Sequence, residues 1–598
     1  MIINFFLFYS FVFLIFVHGV FFNKIYYKFL GVKKVELNFF TSIFFGLFSL
    51  SFISLLFNFF INLNSFFFKS FFIFLIVLSF IKVEIKNYKI FFKNTLLIFL
   101  ISPLLNFMPE GYDAALYHFP HQTWIREEKI IFGLTNIHDR FGLISLYNYL
   151  AANLWFNNTF IALSYLQGTY YLLFFSFLFF LLNLKAKSSL WIVLSTIFTL
   201  PILIRYIEPS YGLVDAPYGF LFYIVIMSGL VLLREKKTND SLVILFIFAS
   251  CFVFTLKPSG ILIFPYTFLI LIVLSKYKKV NLSNKIYLKT FLFSFFITSS
   301  WVIKNIINTS CIVYPIQSLC FDFPWSDLNH LSIINQAIKY YHYQYYNSIN
   351  FIYLKDFISG YWYFSLFLAL FFIFAFVVSF KIKFTKLYNV KFIILLLLFA
   401  SYLFLYTYST RSLKGFAYSS QLHAEYASIM IFKEFFMLIL IFIISILFSS
   451  IFLNKDLKFI KINNFIFFIP LFYLIFCFII WLLIAPSPRL AFGYFVSLAS
   501  VFILAFVKDN FLYTNKISNL IKNFIYLFVF VLFFFEPLYK NINKLNLNTR
   551  KIPKIETIKR EGFGVKADYF CWTEKNCYFY NYDIKLNYLF FNYKIFTK

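Results

Sequence analysis

The residues of this chain best suited to chemistry crowd into one stretch. Pro109-Glu110-Gly111-Tyr112-Asp113-Ala114-Ala115-Leu116-Tyr117-His118-Phe119-Pro120-His121 continues through Arg126, Glu127 and Glu128 to Asn136-Ile137-His138-Asp139-Arg140-Phe141-Gly142. It holds three of the seven histidines. Asp113 follows an apolar run by only a few residues, so its carboxylate belongs at a membrane surface, beside the head group of any lipid-linked substrate. A general base acting on such a head group needs that position. The structural role open to Asp113 is to cap a short helix starting at Ala114, since Asp readily accepts from exposed backbone N–H groups. Tyr117 stands at i+4 from Asp113 and His118 at i+5. The spacing of His118, His121 and His138 is generic for a metal site; it assigns no ligand and leaves a divalent cation open as a cofactor.

A second set is cationic. Arg205 ends an apolar run and begins Arg205-Tyr206-Ile207-Glu208-Pro209. Lys257 lies in Leu256-Lys257-Pro258-Ser259-Gly260, between two apolar runs where the proline breaks the helix. Lys304-Asn305 ends another run, with Tyr314-Pro315 beyond it, and Arg489 sits in Ala485-Pro486-Ser487-Pro488-Arg489. Each could be an end residue snorkelling from an apolar stem. Together at one surface they are candidates to hold a phosphate or pyrophosphate, which guanidinium groups bind through paired donors.

The elements that must position these groups are membrane helices. Of 598 residues, 62% are hydrophobic and only 13% charged, against about 25% charged in soluble domains. Mean hydropathy is +0.81. The 98 phenylalanines read in part as drift among interchangeable apolar residues. A net charge of +29 would suit nucleic acid if clustered on one face with aromatics. Here Lys and Arg instead fall in short runs between apolar segments, as topology signals do, so no nucleic-acid partner is expected. Runs long enough to cross ~30 Å of hydrocarbon number about sixteen. The reading is an all-α polytopic membrane protein: four spans in 1–108, a loop at 109–158, six spans in 159–303, a loop at 304–362, six spans in 363–537, and an appendage at 538–598. Residues 2–22 lack a basic leader and cleavage site and read as a retained span.

Alternate connections carry the lysines, from Lys24 and Lys28 through Lys82, Lys86, Lys185, Arg234, Lys276 and Lys381 to Lys522. That set is expected on the cytoplasmic side. The opposite set holds the long polar loops and the tail, whose aromatics near Tyr578 to Tyr588 suggest a small β-rich appendage. An oxidising exterior permits disulfides between Cys571 and Cys577 and between Cys311 and Cys320.

These segments resemble an uncharacterised family of multi-pass bacterial inner-membrane proteins. The resemblance rests on Tyr112-Asp113-Ala114-Ala115-Leu116-Tyr117-His118, Asn136 to Gly142, Lys304-Asn305 to Tyr314-Pro315, Ala485 to Arg489, and Cys571-Trp572 to Cys577. More distantly, the layout resembles the GT-C class of polyprenyl-phosphate-dependent glycosyltransferases, with an acidic residue in an early external loop and basic residues at later external span ends. Here three extra spans precede the acidic loop, and Asp113 has no acidic neighbour of the paired kind common in that class.

The resemblance implies a GT-C-like fold whose active face is external to the bacterial inner membrane. It implies a polyprenyl-phosphate-linked sugar as donor and a cell-envelope glycan or lipid as acceptor. Asp113 would be the base. Arg489, Lys257, Lys304 and Arg205 would stabilise the departing lipid phosphate, and His118, His121, His138, Arg140 and Tyr117 would contact substrate. The alternatives are an O-antigen-type polymerase or ligase, and a transporter or flippase of lipid-linked glycans. The last would call for charges near the bilayer midplane, whereas the conspicuous charges here sit at one interface.

Overall fold

The computed structural model describes residues 2–32, 37–108, 113–143, 145–155, 159–184, 187–203, 210–234, 240–277, 280–328, 331, 465–484, 492–498, 500–501, 515–530, 533 and strand segments between 560 and 597. These residues are mostly helical. The helices are α1 (Ile2–Leu30), α2 (Phe39–Asn58), α3 (Phe66–Lys82), α4 (Ile85–Phe92), α5 (Thr95–Phe107), α6 (Phe119–Glu127) and α7 (Leu146–Ala151). They continue with α8 (Ile161–Asn183), α9 (Lys187–Leu203), α10 (Asp215–Arg234), α11 (Asp240–Leu256), α12 (Ile263–Tyr277), α13 (Lys285–Thr309), α14 (Phe465–Ile484) and α15 (Asn515–Val529). Every apolar run expected before residue 304 is a helix.

Among the described residues, six helices are long and apolar enough to cross a membrane: α1, α2, α8, α10, α12 with the turn before it, and α13. The α3–α4 pair makes a seventh if its 101° bend lies within one span. Sixteen is therefore more than the described residues carry. The run expected at 94–108 is the 13-residue α5, only about 20 Å long. Pro103 inside it withholds a backbone N–H, and the Ser102 hydroxyl instead donates to the Phe99 carbonyl at 2.9 Å. The runs expected at 363–380, 392–406 and 430–453 lie outside the described residues, whereas that at 464–485 is α14.

The described residues form two compact units. One comprises 1–185, 209–335 and 514–598, the other 186–208 and 336–513. In the second, Ser195 of α9 donates to Ser500 at 3.0 Å, a polar tie between otherwise apolar segments. The first unit is built on α1 packed against α2. A Cβ on Gly19 would collide with the Ser42 carbonyl, and one on Gly46 with the Ile15 carbonyl. Small residues at such crossings let two backbones approach closely. Ser49, Ser51 and Ser54 of α2 donate to carbonyls four residues back at 2.5, 2.7 and 2.8 Å, so their buried hydroxyls stay satisfied without water.

The two ends of this bundle differ. At one end Lys24 and Lys86 pair with Glu84 at 2.7 and 2.6 Å, Lys289 donates to the Phe29 carbonyl, and Tyr287 to Asp240. At the other, the backbone N–H groups of Leu63 and Asn64 donate to the Ile125 and Arg126 carbonyls. There the Asn58 side chain donates to the Ile125 and Glu128 carbonyls at 3.1 and 2.9 Å. The lysine-bearing connections thus gather opposite the polar loops, as the charge alternation requires.

The tail supplies the expected strands: β1 (Arg560–Glu561), β2 (Gly564–Lys566), β3 (Cys577–Tyr578), β4 (Lys585–Leu589) and β5 (Tyr593–Thr597). β4 and β5 pair antiparallel, with Asn587 opposite Ile595. β5 returns to the polar end of the bundle. There the Phe132 N–H donates to the Lys594 carbonyl at 3.0 Å, Lys594 pairs with Glu128 at 2.6 Å, and the Tyr593 hydroxyl donates to the Phe59 carbonyl.

The α1–α2 contact leaves no room for side chains at its crossing. Gly46→Leu is expected to cost about 1–3 kcal/mol through overpacking, read as a lower unfolding temperature of the detergent-solubilised protein. An unchanged unfolding temperature would contradict the close approach.

Candidate functional site

The site begins where the chain leaves α5 and re-enters a helix at Asp113. Asp113 has helical backbone angles (φ −65°, ψ −21°) and makes no capping bond, so the capping role weighed for it does not hold. It leads into a π-helical turn, Ala114–His118, closed by the Phe119 N–H donating to the Ala114 carbonyl. A π-turn widens the helix, so residues four and five apart share a face. Tyr117 and His118 thereby stand close together, their rings 4.3 Å apart. On the flank of this turn, Gly212 takes the left-handed conformation (φ +83°), and a Cβ there would stand 2.6 Å from Ala114 Cβ. Only glycine fits both the dihedral and the contact.

The second half of the loop folds back onto the first. Arg140 reaches Asp113 with Nη1 3.1 Å from Oδ1, and its guanidinium lies 5.5 Å from the Tyr117 ring centre. Asp113 is buried and Arg140 about half exposed, so the pair links an inner carboxylate to the solvent side. His138 Nδ1 lies 2.8 Å from Asp139, whose Oδ1 also accepts from the Arg140 backbone N–H at 2.8 Å. Burial pushes the Asp139 carboxyl up, but the hydrogen bond and charge of His138, with help from Arg140, outweigh it and hold the group below the usual carboxylate range.

Rings connect this pair of carboxylates to the end of α13. His138 packs on Phe141 at 5.4 Å, Phe141 on His121 at 6.0 Å, His121 on Tyr149 at 6.3 Å, and Tyr149 on Trp301 at 6.4 Å. At the end of the chain of rings stands Lys304. It is fully buried, 0% exposed. Its ammonium lies 4.3 Å from the centre of the Trp301 ring and donates to Asn305 Oδ1 at 3.2 Å. No carboxylate among the described residues lies within ion-pair distance. The two aromatic and cationic positions, three apart on α13, share a helix face.

His121 lies within reach of this charge. Burial above all, and then the neighbouring Lys304, holds its imidazole well below the usual range. His121 is therefore neutral near pH 7, and its buried Nδ1 has no hydrogen-bond partner among the described residues.

The floor is held by the loop after α13. Ser310 ends the helix in the left-handed region (φ +65°), Cys311 and Cys320 form a disulfide, and a Cβ on Gly142 would run into the Tyr314 ring. The Thr135 hydroxyl donates to the Asn308 carbonyl at 3.2 Å, and the Asn136 amide to the Trp325 carbonyl at 3.1 Å. Segments far apart in sequence, 113–143 and 304–328, thus form one layer.

Asp113, Tyr117, His118, His121, His138, Arg140 and Lys304 are therefore brought together, and the Cys311–Cys320 bridge is formed. Lys257 pairs with Asp215 at the start of α10, a partner its sequence position beside Pro258 does not reveal. Arg205, Arg489 and Cys571 lie outside the described residues. Sequence reasoning passed over Asp139, Trp301 and Tyr149. The spacing of Trp301 to Lys304 was the one signal available for any of them. Among the described residues no three His, Cys, Asp or Glu side chains gather closely enough to hold a metal ion.

Residues 1–412 match the model of a family described as a domain of unknown function, DUF8201. The chain belongs to that family. No curated protein and no solved structure matches it.

Because folding depresses the His121 pKa below its unfolded value of about 6.5, the unfolded chain binds more protons as the pH falls past that value. Stability is full above about pH 6.5 and declines below it. The unfolding temperature is expected to fall between pH 7 and pH 5, with a shallower decline in His121→Gln. Equal slopes for the two proteins would contradict the buried neutral imidazole.

Proposed function

We propose that this protein is a membrane glycosyltransferase that moves a sugar from a polyprenyl-phosphate carrier to a cell-envelope glycan or lipid. In this reading the chain is a sixteen-span, GT-C-like protein of the bacterial inner membrane, and the polar end of the bundle faces outward. The observation that carries the reading is the joining, in one layer at the polar end of apolar helices, of a carboxylate, imidazoles and a buried ammonium. Such a layer meets the needs of a substrate with an apolar tail and a charged, hydroxyl-bearing head.

In the reaction, Asp113 accepts the proton of the acceptor hydroxyl as its oxygen attacks the anomeric carbon of the donor sugar. The bond from that carbon to the lipid-phosphate oxygen breaks, and the phosphate leaves with the electron pair. Arg140, on Asp113 Oδ1, orients the carboxylate. Lys304 supplies positive charge where charge develops on the leaving phosphate, in surroundings too dry to screen it. Tyr117, His118, His121 and His138 line the path between the two.

The test is a deletion strain complemented with the wild-type protein or Asp113→Asn, read by mass spectrometry of envelope glycans and polyprenyl-linked sugars. The variant is expected to reach the membrane in normal amount yet lose about 10²–10⁴ of the transfer rate, with the sugar carrier accumulating. Wild-type transfer by Asp113→Asn would overturn the role given to this residue. Accumulation of intact lipid-pyrophosphate oligosaccharides in its place would favour a polymerase, ligase or flippase.

A further inference from the structure

His118 is tied to a line of buried amides whose direction can be read from its far end. The indole of Trp155 has an N–H and no acceptor, so it can only donate. It does so to Gln122 Oε1 at 2.8 Å. With that oxygen engaged, the Gln122 amide turns its NH2 toward Asn148, where Nε2 meets Oδ1 at 3.5 Å. This contact is long, yet the reverse placement would set two NH2 groups face to face. The Asn148 NH2 in turn faces His118 Nδ1 at 3.2 Å. Gln122 and Asn148 are 0% exposed and His118 4%, so water does not readily substitute for any link. Each amide passes on the direction that the indole imposes.

A donor arriving at Nδ1 requires a lone pair there. We propose that Trp155, Gln122 and Asn148 are positioning residues that lock His118 as the neutral tautomer protonated at Nε2, making it a hydrogen-bond donor to substrate oxygen and not a base. This rests on the reading above only in taking the site as the substrate site; the tautomer itself follows from the hydrogen-bond chain. The division of labour is then definite. Proton acceptance belongs to Asp113, since a second base five residues away is prevented from acting through Nδ1. His118 offers an N–H to an acceptor such as a sugar hydroxyl oxygen or a phosphate oxygen. Trp155 is itself held in place, with the Arg126 guanidinium 4.8 Å from its ring centre and Phe160 packed edge-on at 5.3 Å. Arg126 also donates to the Ala152 carbonyl at 2.9 Å, which fastens α6 to the segment that carries the indole.

The experiment is nitrogen-15 NMR of the full-length protein, labelled at histidine and held in lipid nanodiscs at pH 7.5. The His118 signals are assigned by their loss in His118→Gln. The expected spectrum shows His118 with Nε2 protonated and Nδ1 bare. A wild-type spectrum with Nδ1 protonated would overturn the inference and leave the transferase reading standing, since that reading is decided separately by the envelope glycans. Asn148→Asp replaces the donor with a carboxylate that can only accept, so His118 is expected to become protonated at Nδ1. Its transfer rate is expected to fall at least tenfold. An unchanged His118 spectrum in Asn148→Asp would show that the chain does not set the tautomer. If that variant fails to fold, the wild-type spectrum alone decides.

Discussion

A buried lysine amine with no carboxylate beside it among the described residues is the constraint around which the polar end of this protein is arranged. Taking a charge out of water is costly unless hydrogen bonds, dipoles or an opposite charge replace the solvent. Among the described residues, Lys304 has an amide oxygen and the face of an indole. The two carboxylates of the site are answered by other groups, Asp113 by Arg140 and Asp139 by His138. The charge of Lys304 is felt instead by His121, which it helps to hold neutral. Among the described residues the site is short of negative charge at its inner end, and an anionic head group whose tail lies among apolar helices would supply it.

Holding that arrangement takes material from three parts of the chain. The helical bundle supplies Lys304 from α13 and fastens α6 and the turn after α7 through Asn58 and Ser54, the latter accepting from the Asn153 amide at 2.9 Å. The disulfide-closed loop after α13 supplies Tyr314, against which Gly142 lies without a side chain. The tail supplies β5, which fastens the segment between Glu128 and Phe132. Each sequence motif in the described residues is thus a contact point between these parts. Gly142 of the Asn-x-His-x-Arg-x-Gly segment and Tyr314 of the Tyr-Pro element are two faces of one contact.

Much of this was legible in the sequence, and the limits have a physical basis. Apolar runs and their flanking lysines are local properties, so the helices before residue 304 and the opposition of their two ends could be read directly. The gathering of Asp113, Tyr117 and the histidines near Arg140 followed from their crowding in one loop. Pairings across long separations could not be read, because tertiary packing alone sets them. Lys257 looked available until Asp215, 42 positions away, was seen to take it. Lys304 looked like one span-end cation among several, and only packing shows that it is dry. The described residues carry fewer spans than their apolar runs suggest, because hydropathy does not register that α5 stops short and that α3 and α4 meet at a sharp bend.

The central claim is that the charge of Lys304 awaits the phosphate of a lipid carrier. Native mass spectrometry of the purified full-length protein with a polyprenyl phosphate tests it most directly, comparing wild type with Lys304→Met at matched unfolding temperature. Loss of one charged hydrogen-bonding partner is expected to weaken binding by about 10- to 100-fold, with the wild type retaining one lipid phosphate per chain. Equal retention by the two proteins would contradict the account.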